Sequence, residues 1–144
     1  MTVKSKDLTE QGLIDLAGVK VYIAGPMSGL AMLNRPAFFA AEAYLQGQGA
    51  RVMNPAVLPD GWDHDAYMRI TTPMMMACDA VAFLPGWQQS KGSRQAFTRA
   101  RAFGLVLLQL DMVVVADEPW VRRHLPLVGN LPFCFHHVGL LLAV

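Results

Sequence analysis

Short apolar runs and longer amphipathic stretches alternate along this chain. Residues 19–24 (VKVYIA) form a compact apolar run closed at once by Gly25-Pro26, which predicts a buried strand. From 36 to 46 the period lengthens. Phe38, Ala41 and Leu45 share one face while Glu42 and Gln46 lie off it, with Asn34 and Pro36 as start signals and Gly47 and Gly49 as stops. A short strand at 50–53 runs into Asn54-Pro55. After the loop marked by Pro59-Asp60-Gly61, Asp63 is placed to cap a helix beginning at His64, with Tyr67, Ile70, Met74 and Ala77 as its apolar stripe. Pro73 interrupts that stripe and predicts a kink or two short helices, Thr72 capping the second. Residues 79–84 (DAVAFL) predict a third strand. A polar loop (WQQSKGS) then leads into a helix to about position 103, with Ala96, Phe97, Ala100 and Phe103 facing inward. Runs at 105–110 and 112–115 are strand-like, and the rest is apolar with scattered prolines.

Strands separated by helices through loops of a few residues predict βαβ units, hence an α/β domain with a parallel sheet flanked by helices. The pattern divides the chain into a polar, loose or weakly helical lead-in at 1–18, the α/β domain at 19–116, and an apolar extension at 117–144 packed on the core or on a partner subunit. Ligands of such sheets bind beyond the carboxyl ends of the strands. Here those ends are 25–29, 54–62 and 85–94, which is also where polar and aromatic residues concentrate.

Composition narrows the function classes. With 144 residues there is room for one domain, and 53% hydrophobic against 16% charged residues excludes a disordered chain. A net charge of +1 gives no basic surface for a nucleic acid polymer. The stretch at 104–116 is broken by Gln109 and Asp111, and that at 138–144 is too short to span a bilayer, so no membrane partner is expected. Cys78 and Cys134 lack ligand or redox spacing and predict buried thiols, which together with the absence of a signal-type apolar leader suits a cytoplasmic protein. The apolar excess predicts a homo-oligomer.

Each loop offers chemistry. The first (AGPMSG) sets Gly25, Pro26, Met27 and Ser28 between strand and helix, where a backbone can approach a ligand closely; it is neither a P-loop nor GxGxxG. The second carries Asn54, Asp60, Trp62, Asp63, His64 and Asp65. These include metal-ligand types, but cap and solvated loop roles account for them, and neither a metal nor another cofactor is expected. In the third, Trp87 offers a stacking surface for a planar base, while Ser90, Gly92, Ser93 and Arg94 at a helix start suit a phosphate. The adjacent His136 and His137 diverge in either secondary structure, so a shared metal is not expected there.

Taken in order, YIAGPMSG, NRPAF, VMNPA, W-x4-YMR, CDAVAFLPGW and S-x-G-x-R resemble the nucleoside 2-deoxyribosyltransferase-like superfamily, in particular a small branch of unknown function common in phage and prophage genomes. The resemblance covers about 20–108. It implies a flavodoxin-like or Rossmann-like fold, homo-oligomers, and cleavage or transfer at the N-glycosidic bond of a nucleoside or nucleotide. In that chemistry a carboxylate attacks the anomeric carbon and a second acid assists, as in retaining glycoside hydrolysis. The nucleophile position falls on Ala96 and the supporting acid on Thr71, so both carboxylates are missing. The matching binding positions (Tyr22, the first loop, and Trp87, Ser90, Gly92 and Arg94 of the third) keep their character, and Asn54, Trp62 and Ser93 join them as candidate ligand-binding residues of the same loops. The reading that follows is a nucleotide or ribosyl-phosphate binder with catalysis lost, suited in a phage to sequestering a signalling nucleotide. The alternative is an active deoxyribosyltransferase or N-glycosidase. It requires a natural Glu at position 96 or another acid, the nearest in sequence being Asp63, Asp65 and Asp79.

Overall fold

A computed structural model describes residues 14–127. Four parallel strands, β1 (Lys20–Ala24), β2 (Arg51–Met53), β3 (Ala80–Phe83) and β4 (Val106–Val115), and one antiparallel strand, β5 (Glu118–Leu127), form a single sheet in the order β2-β1-β3-β4-β5. Helices α1 (Arg35–Gly47), α2 (His64–Met76) and α3 (Lys91–Ala102) connect the parallel strands. The α/β class with its mostly parallel sheet is the one the sequence pattern predicts, and the Rossmann-like layout the one the resemblance implies.

Both faces of the sheet are buried, and the strand period of two assigns alternate residues to them. Val21 and Ile23 of β1 join Ala80, Ala82, Leu108 and the α1 stripe Phe38, Ala41 and Leu45 on one face. Tyr22 and Ala24 join Val81, Phe83, Met75, Ala96 and Ala100 on the other, under α2 and α3. The chain moves from β1 outward to β2, then crosses back to β3 on the other side of β1. That reversal opens a crevice at the carboxyl ends of β1 and β3, the usual position for a ligand in this topology.

Several expectations change. α2 is one continuous helix through Pro73, and Thr72 caps nothing; its hydroxyl instead accepts from Arg99 Nη1 at 3.3 Å. Pro73 and Arg69 both face solvent, so water can satisfy the carbonyl that the missing N–H leaves unpaired. The buried positions of α2 are Ala66 and Met75, whereas Ile70 and Ala77 are exposed. Phe103 ends α3 as an exposed residue. Asn34 precedes α1 in a left-handed conformation without a side-chain cap, its Nδ2 donating instead to the Pro26 carbonyl at 2.9 Å. By contrast Asp63 caps α2 as its position predicts, Oδ1 accepting from the Ala66 amide at 2.7 Å.

The runs at 105–110 and 112–115 are one strand, with a register irregularity between Asp111 and Met112. The sheet also continues past position 116. Residues 118–127 pair along β4, despite Pro119 and Pro126, because an edge strand can leave one side of its backbone unpaired. Within the lead-in, Ile14 and Leu16 belong to the core. His124 ties these parts together: Nε2 donates to the Ile14 carbonyl at 2.8 Å, so neutral Nδ1 accepts from the Tyr44 hydroxyl at 2.7 Å. Residues 1–13 and the tail from 128, with Cys134, His136 and His137, lie outside the described residues. Among the described residues no helix is long and apolar enough to cross a membrane.

Candidate functional site

A cavity of about 340 Å³ opens where the three loops meet, within the range of small-molecule sites. Its floor is Tyr22, on β1. Burial pushes the Tyr22 phenol above the usual tyrosine range, against the opposing effect of a hydrogen bond from Thr71, so the floor presents a neutral hydroxyl. Ala96 and Thr71 both line the cavity, on α3 and α2. The two positions where the resemblance calls for acids thus border the same cavity.

The first loop contributes Gly25, Met27 and Ser28. Gly25 is required by the protein itself. A Cβ there would lie 2.7 Å from the Leu84 side chain, so the missing side chain serves strand packing as well as access to the cavity. Pro26 does not line the cavity, and its carbonyl is engaged by Asn34.

The second loop is held from two sides. Arg35, the first residue of α1, donates from Nε to Ala56 O at 3.1 Å and from Nη2 to Leu58 O at 3.3 Å, and it pairs with Asp60. From α2, the Tyr67 hydroxyl donates to Pro59 O at 2.5 Å and accepts from the Trp62 amide at 3.2 Å. Trp62 is thereby fixed at the mouth with 57% of its surface exposed. Asn54 does not reach the cavity. It is buried, its Oδ1 accepting from the Ala56 amide and its Nδ2 donating to Glu42, so its role is to shape the loop.

The third loop divides. Ser90, Gly92 and Ser93 line the cavity at the start of α3, where Ser90 Oγ caps the Ser93 amide at 3.2 Å. Trp87 does not: it is 4% exposed, stacked on Phe97 with ring centroids 4.9 Å apart, and tilted against Phe83 at 4.8 Å. Its Nε1 donates to Gln109 Oε1 at 3.1 Å. Two rings and one amide satisfy the indole, which leaves no face for a base. Arg94 also stays away from the cavity. It is exposed and turns back on its own loop, Nη1 donating to Gln88 O at 2.9 Å.

Among the lining residues the single carboxylate is Asp60, which Arg35 holds below the usual carboxylate range. The acids that could stand in for the missing pair lie elsewhere. Asp63 caps α2, Asp65 is exposed in its first turn, and Asp79 precedes β3 at the opposite end of the sheet, its Oδ2 accepting from the Lys20 amide at 3.1 Å. Among the described residues no three His, Cys, Asp or Glu side chains gather as metal ligands do. Cys78 is a buried free thiol whose pKa burial pushes up to about 11, so it is no nucleophile at neutral pH.

Sequence reasoning missed Arg35 and Tyr67 as site residues. Arg35 sits beside a helix-start proline and Tyr67 fits the apolar stripe, so each has a local explanation that hides its reach across the loop. A family model described as Domain of unknown function (DUF4406) matches residues 19–109, from the start of β1 into β4. No curated protein matches the chain.

Proposed function

We propose, for a chain that belongs to the DUF4406 family, that the cavity binds a nucleotide or ribosyl-phosphate compound without cleaving it. One observation supports this reading: Ala96 and Thr71, the positions where the resemblance implies acids, both line the cavity, and its single lining carboxylate is already paired with Arg35. Glycosidic cleavage of the retaining type needs one carboxylate to attack and another group to move a proton. Asp60 is paired with Arg35 at the mouth, and the Tyr22 hydroxyl keeps its proton at neutral pH. Among the described residues that line the cavity, no free carboxylate is left to attack.

What remains suits binding. Ahead of the capped Ser93 amide, the Gly92 amide has no partner within the helix, and together with the Ser90 and Ser93 hydroxyls it offers donors to a phosphoryl group. Lack of a free carboxylate removes like-charge repulsion there. Trp62 offers an exposed indole on which a base can stack. The Tyr22 and Thr71 hydroxyls at the floor suit the sugar. Sequestering a signalling nucleotide is a purpose such a site would serve.

The test is thermal unfolding across a panel of nucleosides and their 5′-mono- and diphosphates. The reading expects at least one phosphorylated member to raise Tm in a concentration-dependent way, as a ligand of the folded state must. A panel without any shift contradicts it.

A further inference from the structure

The geometry points to a second anion subsite in the same cavity: we propose that Arg35 binds a further phosphoryl group of the ligand, and that Asp60 is a place-holder which this group displaces. The proposal rests on the nucleotide reading above and specifies its ligand as one bearing two phosphoryl groups.

The arrangement of donors carries the argument. A guanidinium has a side edge, formed by Nε and Nη2, and an end edge, formed by Nη1 and Nη2. In Arg35 the side edge is spent on the Ala56 and Leu58 carbonyls, which belong to the backbone and fix the group whether or not Asp60 is present. The end edge is half used. Asp60 takes Nη2 alone, through one oxygen, and Nη1 makes no hydrogen bond among the described residues. An acceptor with two suitably spaced oxygens can take both nitrogens in a fork, which a singly bound carboxylate does not.

Asp60 is well placed to leave. It is exposed, with 63% of its side chain open to solvent, and it is followed by Gly61 at a φ of +89°, a conformation that glycine adopts without strain. An exposed pair of this kind is weak, so its loss costs little. Arg35, in contrast, is mostly covered and lines the cavity. The loop that carries Asp60 also carries Trp62, so exchange at Arg35 and stacking at Trp62 act on one segment.

Titration calorimetry of matched nucleoside mono- and diphosphates tests this, with the wild type, Asp60→Asn and Arg35→Lys. The wild type should bind a diphosphate about tenfold more tightly than its monophosphate, the worth of one charge-assisted contact. Asp60→Asn should widen that ratio by removing the competing anion, and Arg35→Lys, which keeps the charge but not the fork, should narrow it toward one. Unfolding curves of each variant confirm that the titrated protein is folded. A ratio near one in the wild type, or a ratio unmoved by either substitution, overturns the second subsite and leaves the nucleotide reading standing. Failure of every nucleoside and nucleotide to bind overturns both.

Discussion

The second and third loops each present a tryptophan at the carboxyl end of the sheet, and the two residues do opposite things. Trp87 follows a strand, sits in a polar loop and precedes a helix start, yet it is core, closed between Phe83 and Phe97 with its N–H on Gln109. Trp62 lies in a segment that reads as solvated, yet its exposed ring borders the cavity, held there by a backbone bond to Tyr67. The difference comes from what lies beneath. The third loop rests on β3 and α3, which bring aromatic side chains up to it. The second loop is buried only as far as Ala56; from 57 to 62 it is exposed or half-buried, held by Arg35 and Tyr67. An aromatic in a loop becomes available to a ligand only when its own protein leaves its face uncovered.

That contrast can be broken in graded steps. Trp87→Ala should lower stability by about 3–5 kcal/mol, as for large aromatic deletions in a core, measured by urea unfolding. Gln109→Leu should cost about 1–3 kcal/mol, because it leaves the buried indole N–H without its acceptor. A pH series gives a smaller effect that spares both loops. His124 is buried neutral, with its pKa lowered by burial, so the unfolded chain binds a proton more readily than the folded one. Stability should therefore be complete above the ordinary histidine pKa of about 6.5 and fall as pH drops below it. His124→Gln should flatten that part of the profile. Least of all, Trp62→Ala should change stability by less than about 0.5 kcal/mol, as exposed sites do. It should nevertheless weaken the bound nucleotide about tenfold through lost stacking. Equal destabilisation by the two tryptophan substitutions would erase the contrast.

The fold was legible where periodicity is strong. The apolar runs of β1 and β3 and the Phe38, Ala41, Leu45 stripe of α1 mark buried faces that nothing else in the chain can cover. β5 was not legible, since its Arg122, Arg123 and two prolines break any alternation. It is held by backbone pairing to β4 and by Asp111, which accepts from both arginines at 3.0 Å. Pro73 misled because propensity describes an isolated helix, while here packing on either side keeps the turn. At the site, loop position brought Ser28, Trp62 and Ser90 together, because topology decides which loops meet, whereas Tyr22, on β1, was reached only through the family resemblance. Loop position could not decide orientation. Asn54 and Arg94 lie in the right loops and turn to backbone or neighbouring partners, and Arg35 reaches the cavity from outside all three loops.

The central claim is that the cavity holds a nucleotide and leaves its glycosidic bond intact. Mass spectrometry of a pooled nucleotide mixture, incubated with the protein and sampled before and after heat denaturation, addresses it directly. The account predicts that a phosphorylated member disappears from the free pool and returns intact on heating. Accumulation of free base would contradict it, and so would a pool that the protein leaves unchanged.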